Sequence, residues 1–110
     1  MTTATINVQS DGTLAPATPI PSWLAWDGEC TFTMQERGTY NLKFTAVDSL
    51  TFSNFQWVEQ QSCVSYSDDG PGSFTISDVV CTQGDPVGVF LVDLSNGTPV
   101  DPSIANNPPG

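Results

Sequence analysis

The sequence predicts an all-β protein folded as a two-sheet antiparallel sandwich, and three observations carry that expectation. Apolar and polar residues alternate in several short runs, the period of a strand with one buried face. Thr and Ser together number 24, with nine Gly and nine Pro, so pleat-fitting and turn-making residues dominate over helix formers. Turn signals recur every 8 to 12 residues or so, the interval expected of stacked short strands.

Taken in order, Ala4, Ile6 and Val8 alternate with Thr5 and Asn7 and predict a first strand, closed by a turn at Asp11-Gly12. Residues 15–22 hold three prolines, which fix φ and lack a donor, so this stretch is expected as an extended crossing or edge cover. Trp23 to Trp26 precede a turn at Asp27-Gly28, and Cys30, Phe32 and Met34 then mark a second strand. After a turn at 36–39, Tyr40, Leu42, Phe44 and Ala46 alternate with Asn41, Lys43 and Thr45, the cleanest strand pattern in the chain.

In the run from Leu50 to Glu59, Phe52, Phe55 and Val58 also fit a helical face, but its Val and aromatic content favours a strand. Residues 67–72, Ser-Asp-Asp-Gly-Pro-Gly, read as a loop. Phe74 and Ile76 alternate with Ser73, Thr75 and Ser77, but Asp78 occupies the next inward slot, which predicts a bulge or strand break there. After Gly84-Asp85-Pro86, the run from Val87 to Leu94 is apolar on both faces, as expected of a strand covered on both sides or turned toward a partner. Asn96-Gly97 predicts a tight hairpin returning through Val100.

Six or seven such strands point to an immunoglobulin-like (Ig-like) sandwich of about seven strands, with a closed barrel as the alternative architecture. Residues 1–110 are expected to form a single Ig-like domain, with 101–110 as a Pro/Asn-rich C-terminal clasp or tail. In that clasp Ile104 would plug the open end of the sandwich, and the Asn106 and Asn107 amides would satisfy loop backbone groups.

Two basic residues, Arg37 and Lys43, stand against twelve acidic ones, a net charge of −10. Such a chain has no cationic footprint for nucleic acid or anionic lipid, so neither partner is expected. There is no histidine, which removes most of the usual acid–base and nucleophile-activating chemistry, so a non-enzymatic protein is expected. The first residues carry no basic segment followed by an apolar stretch, and the expectation is a cytoplasmic protein or a mature form whose leader was removed.

Cys30, Cys63 and Cys81 are an odd count with no Cys-x-x-Cys spacing. They read as small buried hydrophobes, with a disulfide as the alternative in an oxidising compartment. Asp68 and Asp69 are candidate Ca²⁺ ligands, weighed against a solvated acidic turn; the alternating spacing of an EF-hand loop is missing. Trp23 and Trp26, beside Asp27 and Glu29, are a candidate sugar platform, weighed against aromatic plugs of the sandwich end. Asn96-Gly97-Thr98 matches a glycosylation acceptor, and here it reads as turn chemistry. No cofactor is expected.

Gly38-Thr39-Tyr40, following Glu36, resembles the Gly-x-Tyr strand start of many bacterial Ig-like domains. The ending Asp101-Pro102-Ser103-Ile104-Ala105-Asn106-Asn107-Pro108 resembles the Asp-Pro-x-Ile-x-Asn-x-Pro signature of the small bacterial DP-EP family, and more distantly the Asp-Pro-x-Ile end of PixA/AidA inclusion-body proteins. The resemblance rests on Asp101, Pro102, Ile104, Asn106 and Pro108, and implies an Ig-like sandwich of undetermined function with no catalytic residues to carry over.

The expected function is therefore that of a structural or protein-interaction domain that self-associates or docks a protein. Its expected interface is Val87, Val89, Phe90 and Val92 on the two-faced strand. A small binding module for carbohydrate or Ca²⁺ is the alternative.

Overall fold

Strand β5 (Gly38–Ala46) shows how the alternation is realised: Tyr40, Leu42 and Phe44 are buried, while Lys43 points to solvent. Its start depends on Gly38, whose φ of +135° suits glycine and whose missing Cβ leaves room for the Tyr40 hydroxyl to donate to Arg37 O at 2.9 Å. The computed structural model describes residues 2–110, and all the regular structure among them is strand. Eleven strands are present among the described residues, more than the expected seven, because several two- to four-residue segments also pair.

The first sheet runs β2 (Leu14–Pro16), β1 (Thr3–Val8), β5, β8 (Ser73–Val80), β7 (Val64–Gly70). In the second, β9 (Gly84–Leu94) is central. One edge of β9 pairs with β6 (Phe52–Gln60), and the other pairs with β11 (Ser103–Asn106) and then β10 (Pro99–Val100). Beyond β11 lie β4 (Thr31–Met34) and β3 (Leu24–Trp26). The two sheets pack as a sandwich.

The purely antiparallel arrangement is corrected: β1 pairs parallel with β5 and β11 parallel with β4, so both sheets are mixed. Tight hairpins impose antiparallel pairing, whereas parallel neighbours need a long crossover. Between β1 and β5 the chain passes through β3 and β4 of the other sheet, which supplies one.

Between the sheets lies an aromatic core. Phe44 stacks on Phe74 at 5.0 Å and meets Phe32 and Phe90 edge-on at 6.0 and 5.6 Å. All four are at most 1% exposed, and burial of each contributes roughly 1.5–3 kcal/mol. One sheet supplies Phe44 and Phe74, the other Phe32 and Phe90, so this quartet is the main bond between layers.

Three sequence expectations change here. Within the 101–110 segment residues 103–106 are built into the second sheet: β11 is an interior strand between β9 and β4, with Ile104 fully buried in register with Phe32. The expected loop at 67–72 shrinks to Pro71-Gly72, because β7 continues to Gly70. The expected break at Asp78 does not occur; β8 runs unbroken from Ser73 to Val80 with Asp78 facing the core, fully buried.

The ambiguous run at 50–59 is a strand. Asn54 adopts φ +58°, and the β6–β9 register shifts between Ser53 and Gln56 by one residue. That bulge turns both Phe52 and Phe55 toward the core, which explains their helix-like three-residue spacing.

Candidate functional site

β6 and β7 follow one another in the chain yet belong to different sheets, and each pairs on one side only: β6 with β9, β7 with β8. Both therefore present an unpaired edge on one side of the sandwich. Of the other edge strands, β2 and β3 are three residues long and flank the proline-rich crossing, and β10 has two residues, one of them Pro99. β6 and β7 are nine and seven residues long and contain no Pro, Lys or Arg, the residues that usually blunt an edge.

An aromatic cluster bridges these edges. Phe55 of β6 stacks on Tyr66 of β7 with ring centroids 3.9 Å apart. Phe55 also meets Trp57 at 5.4 Å and rests on Phe90 at 5.0 Å. The cluster grades from buried to wet: Phe74 and Phe90 form the floor, Tyr66 is 38% exposed, and Val58, which follows Trp57 on β6, is 61% exposed. A cavity of about 220 Å³ opens there, lined by Phe52, Asn54, Phe55, Tyr66, Asp68 and Phe74, with the unpartnered Ser73 Oγ at its wall.

Acidic residues lie along this side. Asp68 and Asp69 lie on β7, Glu59 on β6, and Asp93 on β9, where its carboxylate accepts from Asn54 Nδ2 at 3.1 Å. Burial, then Asp68 and Asp69, push the Tyr66 phenol above its usual range. Lys43 of β5 is in register with Thr75, which donates to Asp69, and Arg37 donates to the Cys81 and Pro109 carbonyls.

A second constellation sits at one end of the sandwich. Asn106 Nδ2 of β11 donates to Asp78 Oδ1 of β8 at 3.1 Å, joining the two sheets. Cys63 lies beside them, its Sγ 3.9 Å from Asn106 Nδ2. A cavity of about 470 Å³ next to the pair is lined by Gln61, Cys63, Cys81, Gln83 and Asn106, among others. Burial raises the Asp78 carboxyl above the ordinary Asp range, against the lowering effect of Asn106 and Cys63. Burial, then Asp78, raises the Cys63 thiol as well.

The residues singled out from sequence are distributed differently. Trp23 is 8% exposed and stacked on Tyr40 at 4.5 Å, packed as part of the core; Trp26 is half-buried, its Nε1 donating to Glu29 O at 3.0 Å. Asp68 and Asp69 are successive strand residues, so their side chains diverge to opposite faces. Asp68 Oδ1 accepts from Gly70 N at 2.9 Å and Asp69 accepts from Thr75 Oγ1. Among the described residues no three Cys, Asp or Glu side chains converge as a metal site.

Of the expected interface, Val87, Phe90 and Val92 are at most 2% exposed, because β9 is the central strand and those side chains face the other sheet. Only Val89 keeps partial exposure. Pro102, Ile104, Asn106 and Pro108 are all buried, while Asp101 is exposed. Asn106 bonds to Asp78 rather than to loop backbone, and Asn107 Oδ1 accepts from Gln83 Nε2 at 2.7 Å. Cys30, Cys63 and Cys81 are all free thiols, the first two half-buried and Cys81 exposed.

Sequence reasoning missed both constellations. The signal for the aromatic bridge was Phe55, Trp57 and Tyr66 on successive strands, and for the polar pair it was Asp78 in an inward slot. No protein-family model and no curated protein matches the chain. Among the described residues no helix is long and apolar enough to cross a membrane.

Proposed function

We propose that this protein is a non-enzymatic interaction domain that adds a basic polypeptide strand to the edge of β6, beside the Phe55–Tyr66 bridge. The observation that carries the reading is the juxtaposition of two long unpaired edges with a partly exposed aromatic shelf. Strand addition takes its affinity from main-chain hydrogen bonds and its selectivity from neighbouring side-chain pockets, and this side offers both.

The charge selects the partner. A net charge of −10, with Asp68, Asp69 and Glu59 at this side, attracts a cationic segment and opposes a second copy of the same chain. The aromatic faces of Tyr66 and Phe55 are suited to Arg or Lys side chains. The non-enzymatic reading is supported by the thiols of Cys30 and Cys63, which their surroundings push toward the inert protonated form.

Two finer assignments accompany it. The sandwich is assigned to the Ig-like type on the strength of its two packed sheets and its Gly38-Thr39-Tyr40 strand start. The chain is assigned to the DP-EP family on its ending, with support from the burial of Pro102, Ile104, Asn106 and Pro108, which gives that signature a packing role.

The test is titration of the ¹⁵N-labelled protein with a synthetic peptide of alternating Arg and Val. Amide shifts confined to 52–60 and 64–70, abolished by Val58→Lys, are expected. Val58 is 61% exposed, so the substitution charges the edge without entering the core. Shifts spread evenly over the acidic surface, or unchanged by Val58→Lys, would overturn the proposal. Concentration-dependent dimerisation through the same residues would replace the basic partner with a second copy.

A further inference from the structure

Asp78 and Asn106 are the two buried polar side chains of the described core, at 0% and 3% exposure. The two are joined by a hydrogen bond from Asn106 Nδ2 to Asp78 Oδ1 at 3.1 Å. It leaves one oxygen on each residue, Asp78 Oδ2 and Asn106 Oδ1, and both are buried without a partner. A buried acceptor without a donor costs about 1–3 kcal/mol, and a buried unpaired carboxylate costs more.

Both vacancies sit on a bonded pair of residues, and both atoms are acceptors. One hydrogen between them satisfies both at once. We infer that Asp78 is a proton-binding site: in the folded protein it is a carboxylic acid whose Oδ2–H donates to Asn106 Oδ1, closing a two-bond acid–amide ring between β8 and β11. A carboxylate leaves the amide oxygen with no donor and sets two electron-rich oxygens against each other in the core.

Burial favours the neutral form, against the hydrogen bonds from Asn106 and Cys63. From β5 the titratable group is the buried Tyr40, in register with Asp78, its hydroxyl donating to Arg37 O; from the β6–β7 connection it is the Cys63 thiol, with the Cys81 thiol near it, and β11 presents the Asn106 amide. No cation faces the pair, because Arg37 is bonded to the Cys81 and Pro109 carbonyls and Lys43 is on the outer face of β5.

The linkage has a definite sign. The folded pKa lies above the unfolded one, so the stability that the site contributes is complete below the unfolded Asp value and is lost as pH rises through the folded value. The bond between the sheets therefore loosens on the alkaline side of that window. The domain carries a proton-dependent latch between β8 and β11.

The experiment is ¹³C NMR of the Asp78 carboxyl in the intact chain as a function of pH. The acid-form shift is expected to persist well above the pH at which Asp11 and Asp27, both held low by local hydrogen bonds, have become carboxylates. Asp78→Asn replaces the acid by a second amide that forms the same ring without a titrating proton. It should fold with stability at least equal to the parent near neutrality and lose the parent's decline with rising pH. An Asp78 signal that titrates together with Asp11 and Asp27 would overturn the inference without any variant. A folded Asp78→Asn protein that keeps the same alkaline decline would do so independently.

Discussion

Trp23 lies against Tyr40 with ring centroids 4.5 Å apart and planes 24° from parallel. The pair joins the segment entering β3 to the start of β5, and the Tyr40 hydroxyl is held by Arg37 O. A buried aromatic in such a stack is a packing element, and Trp23→Ala should cost about 3–5 kcal/mol in urea unfolding. Oligosaccharides should leave Trp23 emission unchanged; a saturable response assigned to Trp23 would restore the sugar-platform reading.

Gly88 of β9 has Trp57 over it: a Cβ built there would lie 2.8 Å from Trp57 Cζ3 and 3.2 Å from Val64 Cγ2. Trp57 is itself part of the aromatic bridge. Gly88→Ala should therefore displace Trp57 and destabilise by about 1–3 kcal/mol, seen as a lower urea midpoint at constant slope together with shifted Trp57 side-chain resonances. An unperturbed Trp57 would show that the ring does not depend on the missing Cβ.

The three thiols should separate by rate. Cys81 is exposed, whereas Cys30 and Cys63 are half-buried and pushed upward, each chiefly by burial and then by neighbouring carboxylates. The thiolate is the reacting species, so a disulfide reagent should label one cysteine per chain rapidly and two slowly. Mass mapping that finds Cys63 labelled first would contradict this ordering.

Acid behaviour follows from the turn between β3 and β4. Asp27 accepts from Glu29 N at 2.8 Å and Thr31 N at 3.1 Å, and these bonds, in that order of importance, hold its carboxyl below the ordinary Asp value. Its contribution is present above the unfolded pKa and lost as pH falls through the folded one, opposite in sign to Asp78. Asp27→Asn should remove that acid-side loss and leave the alkaline side alone. Stability profiles of the two proteins that superimpose below pH 4 or so would refute the assignment.

The parts of this fold visible in the sequence are those that local physics determines. Tyr40, Leu42 and Phe44 alternate because one face of β5 is buried, and Gly38 precedes them because Tyr40 needs the space. Parallel pairing was not visible, because the registers Ile6 with Phe44 and Ile104 with Phe32 are set by crossovers of dozens of residues and leave no local trace. Asp78 shows the same limit at a site. An inward carboxylate reads as a broken strand until Asn106, 28 residues later, is seen to meet it. Apolar residues on both faces of Val87 to Leu94 predict cover on both sides or a partner; in the structure Phe90, Val92 and Leu94 are buried against the other sheet, while Val89 and Leu91 on the opposite face stay partly exposed.

The same reasoning makes the C-terminal segment indispensable to the second sheet. β11 pairs with β9 on one side and β4 on the other, and Ile104 is fully buried between them. Ile104→Ala should cost about 2–5 kcal/mol, since the cavity opens in a layer with little freedom to collapse. Removal of residues 101–110 should do far more. It leaves facing edges of β9 and β4 unpaired and deprives Asp78 of Asn106 and Arg37 of the Pro109 carbonyl. The truncated chain should lack the dispersed amide spectrum of the parent, with a cooperative urea transition no longer detectable. A truncated protein that still unfolds cooperatively near the parent midpoint would show that the segment is a dispensable tail after all.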